Sequence, residues 1–189
     1  MGYTHYVYYE RETIPKSNWD AFTTDVRKII AAAEEKHGIT VCREYNRSDE
    51  PPQIDDKHVI FNGVGENSHE TFAVDRKPTD PYSRPEDDHV FAFCKTNRKP
   101  YDLVVTACML AVKHHCPDHV HSISTDGRPQ DWALPVIFCT QELGYGLEEA
   151  KSVGFSEHKL IEACKEQNPA FPILWARAQV LDSDAQVAA

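Results

Sequence analysis

Residues 100–117 read PYDLVVTACMLAVKHHCP, and this stretch decides how the rest of the chain must pack. Pro100 stands where a first-turn proline belongs, and Pro117 ends the element, because proline lacks the N–H that a helix interior needs. Nearly every residue from Leu103 to Val112 is apolar, so no side of such a helix prefers water. Since the run is longer than a typical strand, we predict a buried central helix.

Short runs rich in β-branched and aromatic residues lie on both sides of this helix and predict strands. They cover residues 3–10, 58–62, 69–74, 89–96 and 120–125, with a short strand within 39–44. The run 89–96 is apolar on both faces, which is typical of a central strand. A helical period from Trp19 to Ala33, followed by Gly38, predicts a second long helix.

This order of elements predicts an α+β fold, in which an antiparallel sheet carries two main helices packed on one face. The pattern loosens after Arg128, although residues 156–167 predict an amphipathic helix and 171–181 another short element. We therefore divide the chain into an α+β core domain, 1–132, and a C-terminal helical extension, 133–189, packed on or beside it.

The composition excludes several classes of protein. Of the 189 residues 41% are hydrophobic and 26% are charged, which is enough apolar material to exclude wholesale disorder. The formal charge of −10 repels phosphate backbones and anionic lipid, so we expect no broad nucleic-acid surface and no membrane partner. The N-terminus lacks a signal-peptide pattern, and the six scattered cysteines form no C-x-x-C motif. We expect a cytoplasmic protein with reduced thiols.

The tract KTNRK at residues 95–99 stands directly before the predicted central helix. Three cations and a hydroxyl at a helix N-terminus favour an anion, because the free N–H groups and the helix dipole act in the same direction. The alternative is a solvated connection whose cations pair with the acidic loops. The candidate ligand-binding residues are Tyr3, His5, Asn62, Lys95, Thr96, Arg98, Lys99 and Tyr101.

His69, Glu70 and Cys94 are the candidate catalytic residues. Glu70 shares its strand parity with Phe72 and Val74, so it points toward the core and needs a partner there. Cys94 would be a nucleophile if a neighbouring cation or imidazole stabilised its thiolate. The alternatives are a structural hydrogen bond for Glu70 and an inert buried thiol for Cys94.

Residues 114–121, HHCPDHVH, place five nitrogen or sulfur ligands within eight residues. Cys116 and His119 have the spacing of a zinc knuckle, but no second pair of Cys or His ligands elsewhere completes a closed site. Histidines at a helix C-terminus are also favoured by the dipole alone. We predict no metal and no cofactor.

Several short blocks of the sequence resemble a family of small uncharacterised proteins from bacteria and their phages. The blocks are GYTHY at 2–6, FNG at 61–63 with HETF at 69–72, FCKT at 93–96 with KPYD at 99–102, and STDG at 124–127. The resemblance implies one compact domain over residues 2–132 and marks the polar residues of these blocks as the first to test. Because such proteins end soon after the last block, the extension from about Ala133 is a departure.

Three functions follow as hypotheses. The first is a binding module for a small anionic, phosphorylated ligand at the residues before the central helix. The second is a hydrolase that uses His69 and Glu70 as acid–base groups or Cys94 as its nucleophile. The third is a phage or host structural or interaction protein, in which the extension binds a protein partner or forms a homo-oligomer.

Overall fold

The computed structural model describes residues 2–79 and 87–171, and it has the predicted α+β architecture with antiparallel strands. The strands are β1 Thr4–Tyr9, β2 Val41–Cys42, β3 Gln53–Ile54, β4 His58–Gly63, β5 Phe72–Asp75, β6 Val90–Lys95 and β7 Val120–Thr125. The helices are α1 Lys16–His37, α2 Asp102–His115, α3 Pro129–Leu143, α4 Leu147–Lys151 and α5 Glu157–Gln167. The predicted element at 171–181 lies outside the described residues except for Phe171.

The strands divide into two hydrogen-bonded sheets. In the first, β1 lies between β6 and β7 and pairs antiparallel with both. In the second, β4 pairs with β2, β3 and β5. The two sheets meet where the backbone N–H of Glu70 donates to the carbonyl of Lys95 at 3.2 Å. Strands β4 and β5 form an antiparallel hairpin, with a 3-10 turn at Gly65–Asn67 in its connection.

The prediction of a central strand at 89–96 is wrong, because β1 is central and β6 lies at an edge of its sheet. Phe93 on β6 is 56% exposed. Its ring stacks on Phe91, with 5.8 Å between the centroids. Aromatic residues that stack on the open face of an edge strand place apolar residues on both faces of that strand. In the sequence, this pattern is the same as that of a strand buried on both faces.

The central helix is confirmed as α2, whose residues Leu103 to Val112 are all buried. Helices α1 and α3 both pack against it. Helix α3 was not predicted, because Pro135 stands inside it and proline usually ends or kinks a helix. The proposed boundary after Trp132 falls within α3, and buried residues on both sides of that position belong to one hydrophobic cluster.

None of the helices within 2–79 and 87–171 is both long enough and apolar enough to cross a lipid bilayer. Helix α2 is the most apolar helix, but it has 14 residues, fewer than the roughly 20 that a bilayer core requires.

Candidate functional site

A pocket of about 360 Å³ opens beside the start of α2. Its polar lining comes from four parts of the chain: Tyr3 before β1, His37 at the end of α1, Arg98 and Lys99 in the connection between β6 and α2, and Asp131 in the first turn of α3. Asp102, the first residue of α2, lies between them. The pocket therefore brings together the residue before the first strand and the basic tract, which stand over 90 positions apart in the sequence.

The remaining lining is largely apolar. Ile39 follows α1, Leu103 comes from the first turn of α2, and Leu134 and Pro135 come from α3. Leu134 is 41% exposed, whereas the other leucines within 2–79 and 87–171 are buried or half-buried. A pocket with an apolar wall and a few convergent charged groups is typical of a small-molecule site, where the polar groups set the orientation.

Arg98 is the best-positioned cation of the pocket. Its Cζ atom lies 3.8 Å from the centroid of the Tyr3 ring, and its Nη1 donates to Asp131 Oδ1 at 2.5 Å. Asn97 and Arg98 adopt positive φ angles of 51° and 58°, which side chains other than glycine rarely accept. Such strain persists where the surrounding structure holds the backbone in place, and it is concentrated at functional sites.

The electrostatics of the pocket keep its groups in defined states. Burial would raise the pKa of Asp131, but the hydrogen bonds from Arg98 and from the Arg128 backbone, together with the positive charges of both arginines, outweigh burial and lower that pKa below its usual range. Burial raises the pKa of the Tyr3 phenol, and the negative charge of Asp102 adds to this effect. Asp131 is therefore ionised and Tyr3 is neutral at physiological pH.

A hydrogen-bonded network behind the pocket fixes Asp102. His5 Nε2 lies 2.8 Å from Asp102 Oδ1, and the Thr96 hydroxyl donates to the same oxygen. His5 Nδ1 lies 3.0 Å from Thr125 Oγ1. Because both ring nitrogens have partners, His5 has no free nitrogen for a ligand and acts by positioning the Asp102 carboxylate.

Not all of the predicted ligand-binding residues reach the pocket. Tyr3, Arg98 and Lys99 line it, whereas His5 and Thr96 lie behind it. The side chain of Lys95 instead runs past the backbone of Gly2. Arg98 and Lys99 of the basic tract therefore line the pocket, whereas Lys95, the last residue of β6, does not.

Two further predicted ligand-binding residues are buried and bonded to the protein itself. The Asn62 amide donates to the carbonyl of His69 at 2.9 Å and accepts the N–H of Gly63 at 2.8 Å. The Tyr101 hydroxyl donates to the carbonyl of Glu70 at 2.6 Å. Both residues hold the connection between β4 and β5 in place.

The candidate catalytic residues His69, Glu70 and Cys94 lie together where the two sheets meet. The Glu70 carboxylate accepts the backbone N–H of Lys95 at 2.7 Å, and the Cys94 thiol lies 3.5 Å from the carbonyl of Glu70. Burial raises the pKa of Cys94, which disfavours its thiolate. His69 Nδ1 is buried and has no partner in the described part of the chain.

The histidines of residues 114–121 are dispersed rather than gathered. His114 pairs with Glu149 at 2.8 Å and His115 pairs with Asp25 at 2.7 Å. His121 lies instead beside Glu10 at the far end of the first sheet. No metal cluster forms from these consecutive residues alone within 2–79 and 87–171.

Sequence reasoning missed the contributions of Asp131, Leu134 and Pro135, because it did not predict α3. The one available signal was the pair Arg128 and Asp131, in which the Asp131 carboxylate accepts the Arg128 backbone N–H at 2.8 Å in a capping arrangement. Comparison of this chain with protein-family models, with curated proteins and with solved structures finds no match.

Proposed function

We propose that this chain is an intracellular binding module whose pocket beside α2 holds a small ligand that carries one anionic group, such as a phosphate. A single observation carries the proposal: Tyr3 lines one pocket together with Arg98 and Lys99, which stand over 90 positions later in the sequence. The volume of about 360 Å³ lies within the range of small-molecule sites, roughly 300–1,000 Å³.

Arg98 is suited to bind the anion. Asp131 uses two of the five N–H donors of the guanidinium, and the Tyr3 ring supports its face. The ion pair with Asp131 and the stacking on Tyr3 hold the guanidinium in one orientation. A preorganised guanidinium loses less conformational entropy when it binds an oxyanion.

The charge balance of the pocket limits the ligand. Arg98 and Lys99 share the pocket with Asp102, Asp131 and the imidazole of His37, so the two permanent cations are matched by two carboxylates. Asp102 is the first residue of α2 and already supplies negative charge at that helix terminus. The ligand's anion therefore lies against Arg98 and Lys99 rather than on the helix axis, and its apolar part lies against Leu134 and Pro135.

Phenyl phosphate is a suitable probe, because it joins one phosphate to a flat apolar ring. We expect it to raise the melting temperature of the wild-type protein and to bind measurably by isothermal titration calorimetry. Inorganic phosphate, which cannot use the apolar wall, should bind more weakly. The variants Arg98→Gln and Lys99→Gln should each lose at least about tenfold in affinity, because a hydrogen bond to a charged group contributes roughly 1.5–3 kcal/mol.

Lys95→Gln is the matched control, since Lys95 belongs to the same basic tract but does not line the pocket. This variant should bind phenyl phosphate as the wild type does. Equal affinities for the Arg98→Gln, Lys95→Gln and wild-type proteins would refute the proposal. Release of phenol during the titration would instead show turnover and support the hydrolase hypothesis.

A further inference from the structure

Glu10, His89 and His121 lie together at the end of the first sheet, away from the pocket. Both His89 Nε2 and His121 Nδ1 lie 3.4 Å from Glu10 Oε1. The two imidazole rings are 3.8 Å apart between centroids. One ligand atom from each of the three residues lies within 4.8 Å of the other two.

The strand topology brings these residues together. Glu10 follows the central strand β1, and both neighbouring strands run antiparallel to it, so β6 and β7 begin where β1 ends. His89 stands directly before β6, and His121 is the second residue of β7. Three adjacent strands therefore each provide one side chain at the same end of the sheet.

A β-bulge sets the position of His121. Tyr8 pairs with Ser122 and Tyr9 pairs with Val120, so His121 is the extra residue between the two pairs. A bulge changes the direction of a side chain relative to a regular strand, and bulges are frequent beside functional sites. The irregularity in β7 thus falls on the residue that completes the cluster.

The distances within the cluster differ from those of the other histidine–carboxylate pairs. The pairs His5–Asp102, His58–Asp75 and His114–Glu149 each close to 2.8 Å, as hydrogen bonds do. The two distances to Glu10 stay at 3.4 Å, outside the usual hydrogen-bond range. Ligand atoms at about 2.0–2.1 Å from a tetrahedral zinc ion lie about 3.3–3.4 Å from one another.

We propose that Glu10, His89 and His121 bind a divalent transition-metal ion, with Zn²⁺ as the best fit. Two imidazole nitrogens and one carboxylate oxygen are a common protein ligand set for zinc, and they leave the fourth tetrahedral position to water. The proposal departs from the sequence-based expectation of no metal. It is independent of the anion pocket, because Tyr3 and Glu10 stand at opposite ends of β1, about 23 Å apart at about 3.3 Å per residue.

The bound ion would connect three strands that the fold otherwise joins by backbone hydrogen bonds. Because the folded protein brings the ligands together and the unfolded chain does not, metal binding should stabilise the folded state. All six cysteines are buried, so thiolates do not compete for the ion in the folded protein.

To test the proposal, the full chain is freed of metal with a chelator and then titrated with metal ions. Calorimetry measures the binding of Zn²⁺, and visible absorption measures the binding of Co²⁺. We expect one ion per chain, a raised melting temperature, and the intense visible bands of tetrahedral Co²⁺ without thiolate charge transfer. His89→Gln and His121→Gln should each weaken binding by at least about tenfold, since even the loss of an outer hydrogen-bond partner costs 10–100-fold.

His58→Gln is the matched control, because His58 pairs with one carboxylate but has no second imidazole in that pair. It should bind Zn²⁺ with wild-type affinity. The His121→Gln protein without metal should melt at the wild-type temperature, since 52% of the His121 side chain is exposed. Unchanged Zn²⁺ affinity in both His89→Gln and His121→Gln, or no one-to-one binding by the wild type, would overturn the proposal.

Discussion

His5 Nε2 lies 2.8 Å from Asp102 Oδ1, and this contact joins the central strand to the first turn of the buried helix. The imidazole is fully buried, whereas 19% of the Asp102 side chain remains exposed toward the pocket. The His5–Asp102 pair therefore stabilises the packing of β1 against α2 and also forms part of the pocket wall. Removal of the imidazole should affect both stability and the position of the carboxylate.

The variant His5→Ala should lower the free energy of unfolding by about 2 kcal/mol or more, because it creates a cavity and removes one hydrogen-bond partner from Asp102 and one from Thr125. Urea denaturation at neutral pH measures the change. His158→Ala on the exposed side of α5 is the control and should stay within about 0.5 kcal/mol of the wild type. Similar losses in the two variants would show that the network does not stabilise the fold.

The positive φ of Arg98 predicts that glycine at this position gives a more stable protein than alanine, which reverses the usual order of the two residues. Both Arg98→Gly and Arg98→Ala lose the contacts to Tyr3 and Asp131, so the two variants differ mainly in the backbone. At a φ of 58° the alanine Cβ is strained by about 1 kcal/mol and glycine is not. Arg98→Gly should therefore be the more stable variant in urea denaturation. The opposite order would mean that residue 98 relaxes to an ordinary conformation.

The burial of all six cysteines predicts slow alkylation of the folded protein. Burial raises the pKa of Cys94, Cys108 and Cys139 among others, and the thiolate is the reactive form. Iodoacetamide at mildly alkaline pH should modify none of them within the time in which it modifies all six in urea. Mass spectrometry counts the adducts. Rapid and selective labelling of Cys94 would instead support its predicted role as a nucleophile.

The sequence predicted the helices and strands that follow a clear apolar period, such as α1, α2 and β7. It did not predict α3, because Pro135 interrupts the local signal while packing against the rest of the core preserves the helix. It placed 89–96 at the centre of a sheet, because exposed stacked rings and buried rings give the same apolar pattern in the sequence. Local periodicity shows that a face of a strand is apolar, but it does not show whether another element packs against that face.

The candidate site was predictable in part for the same reason. Arg98 and Lys99 could be found from charge and from their position before a helix. The opposing carboxylate of Asp131 depends on how α3 packs, and the partnership of His89 with His121 depends on strand pairing. Such long-range contacts are set by tertiary structure, so spacing along the chain does not reveal them.

Asp25 gives the last prediction, a loss of stability in acid. Burial would raise its pKa, but hydrogen bonds from His115, Lys28 and Tyr145 outweigh burial and lower the pKa to about 2. Because the unfolded chain has an ordinary aspartate pKa near 3.9, it binds the proton more readily than the folded protein does. The stabilisation by Asp25 is therefore complete above about pH 5 and is lost as the pH falls toward 2.

The difference in unfolding free energy between the wild type and Asp25→Asn should shrink by about 2 kcal/mol between pH 5 and pH 2, since one pKa unit corresponds to about 1.4 kcal/mol. Urea denaturation at several pH values measures this difference, and carboxylates common to both proteins cancel. Asp118→Asn, at an exposed position, should follow the wild type throughout. A constant gap between Asp25→Asn and the wild type would show that the bonds from His115, Lys28 and Tyr145 do not favour the ionised carboxylate.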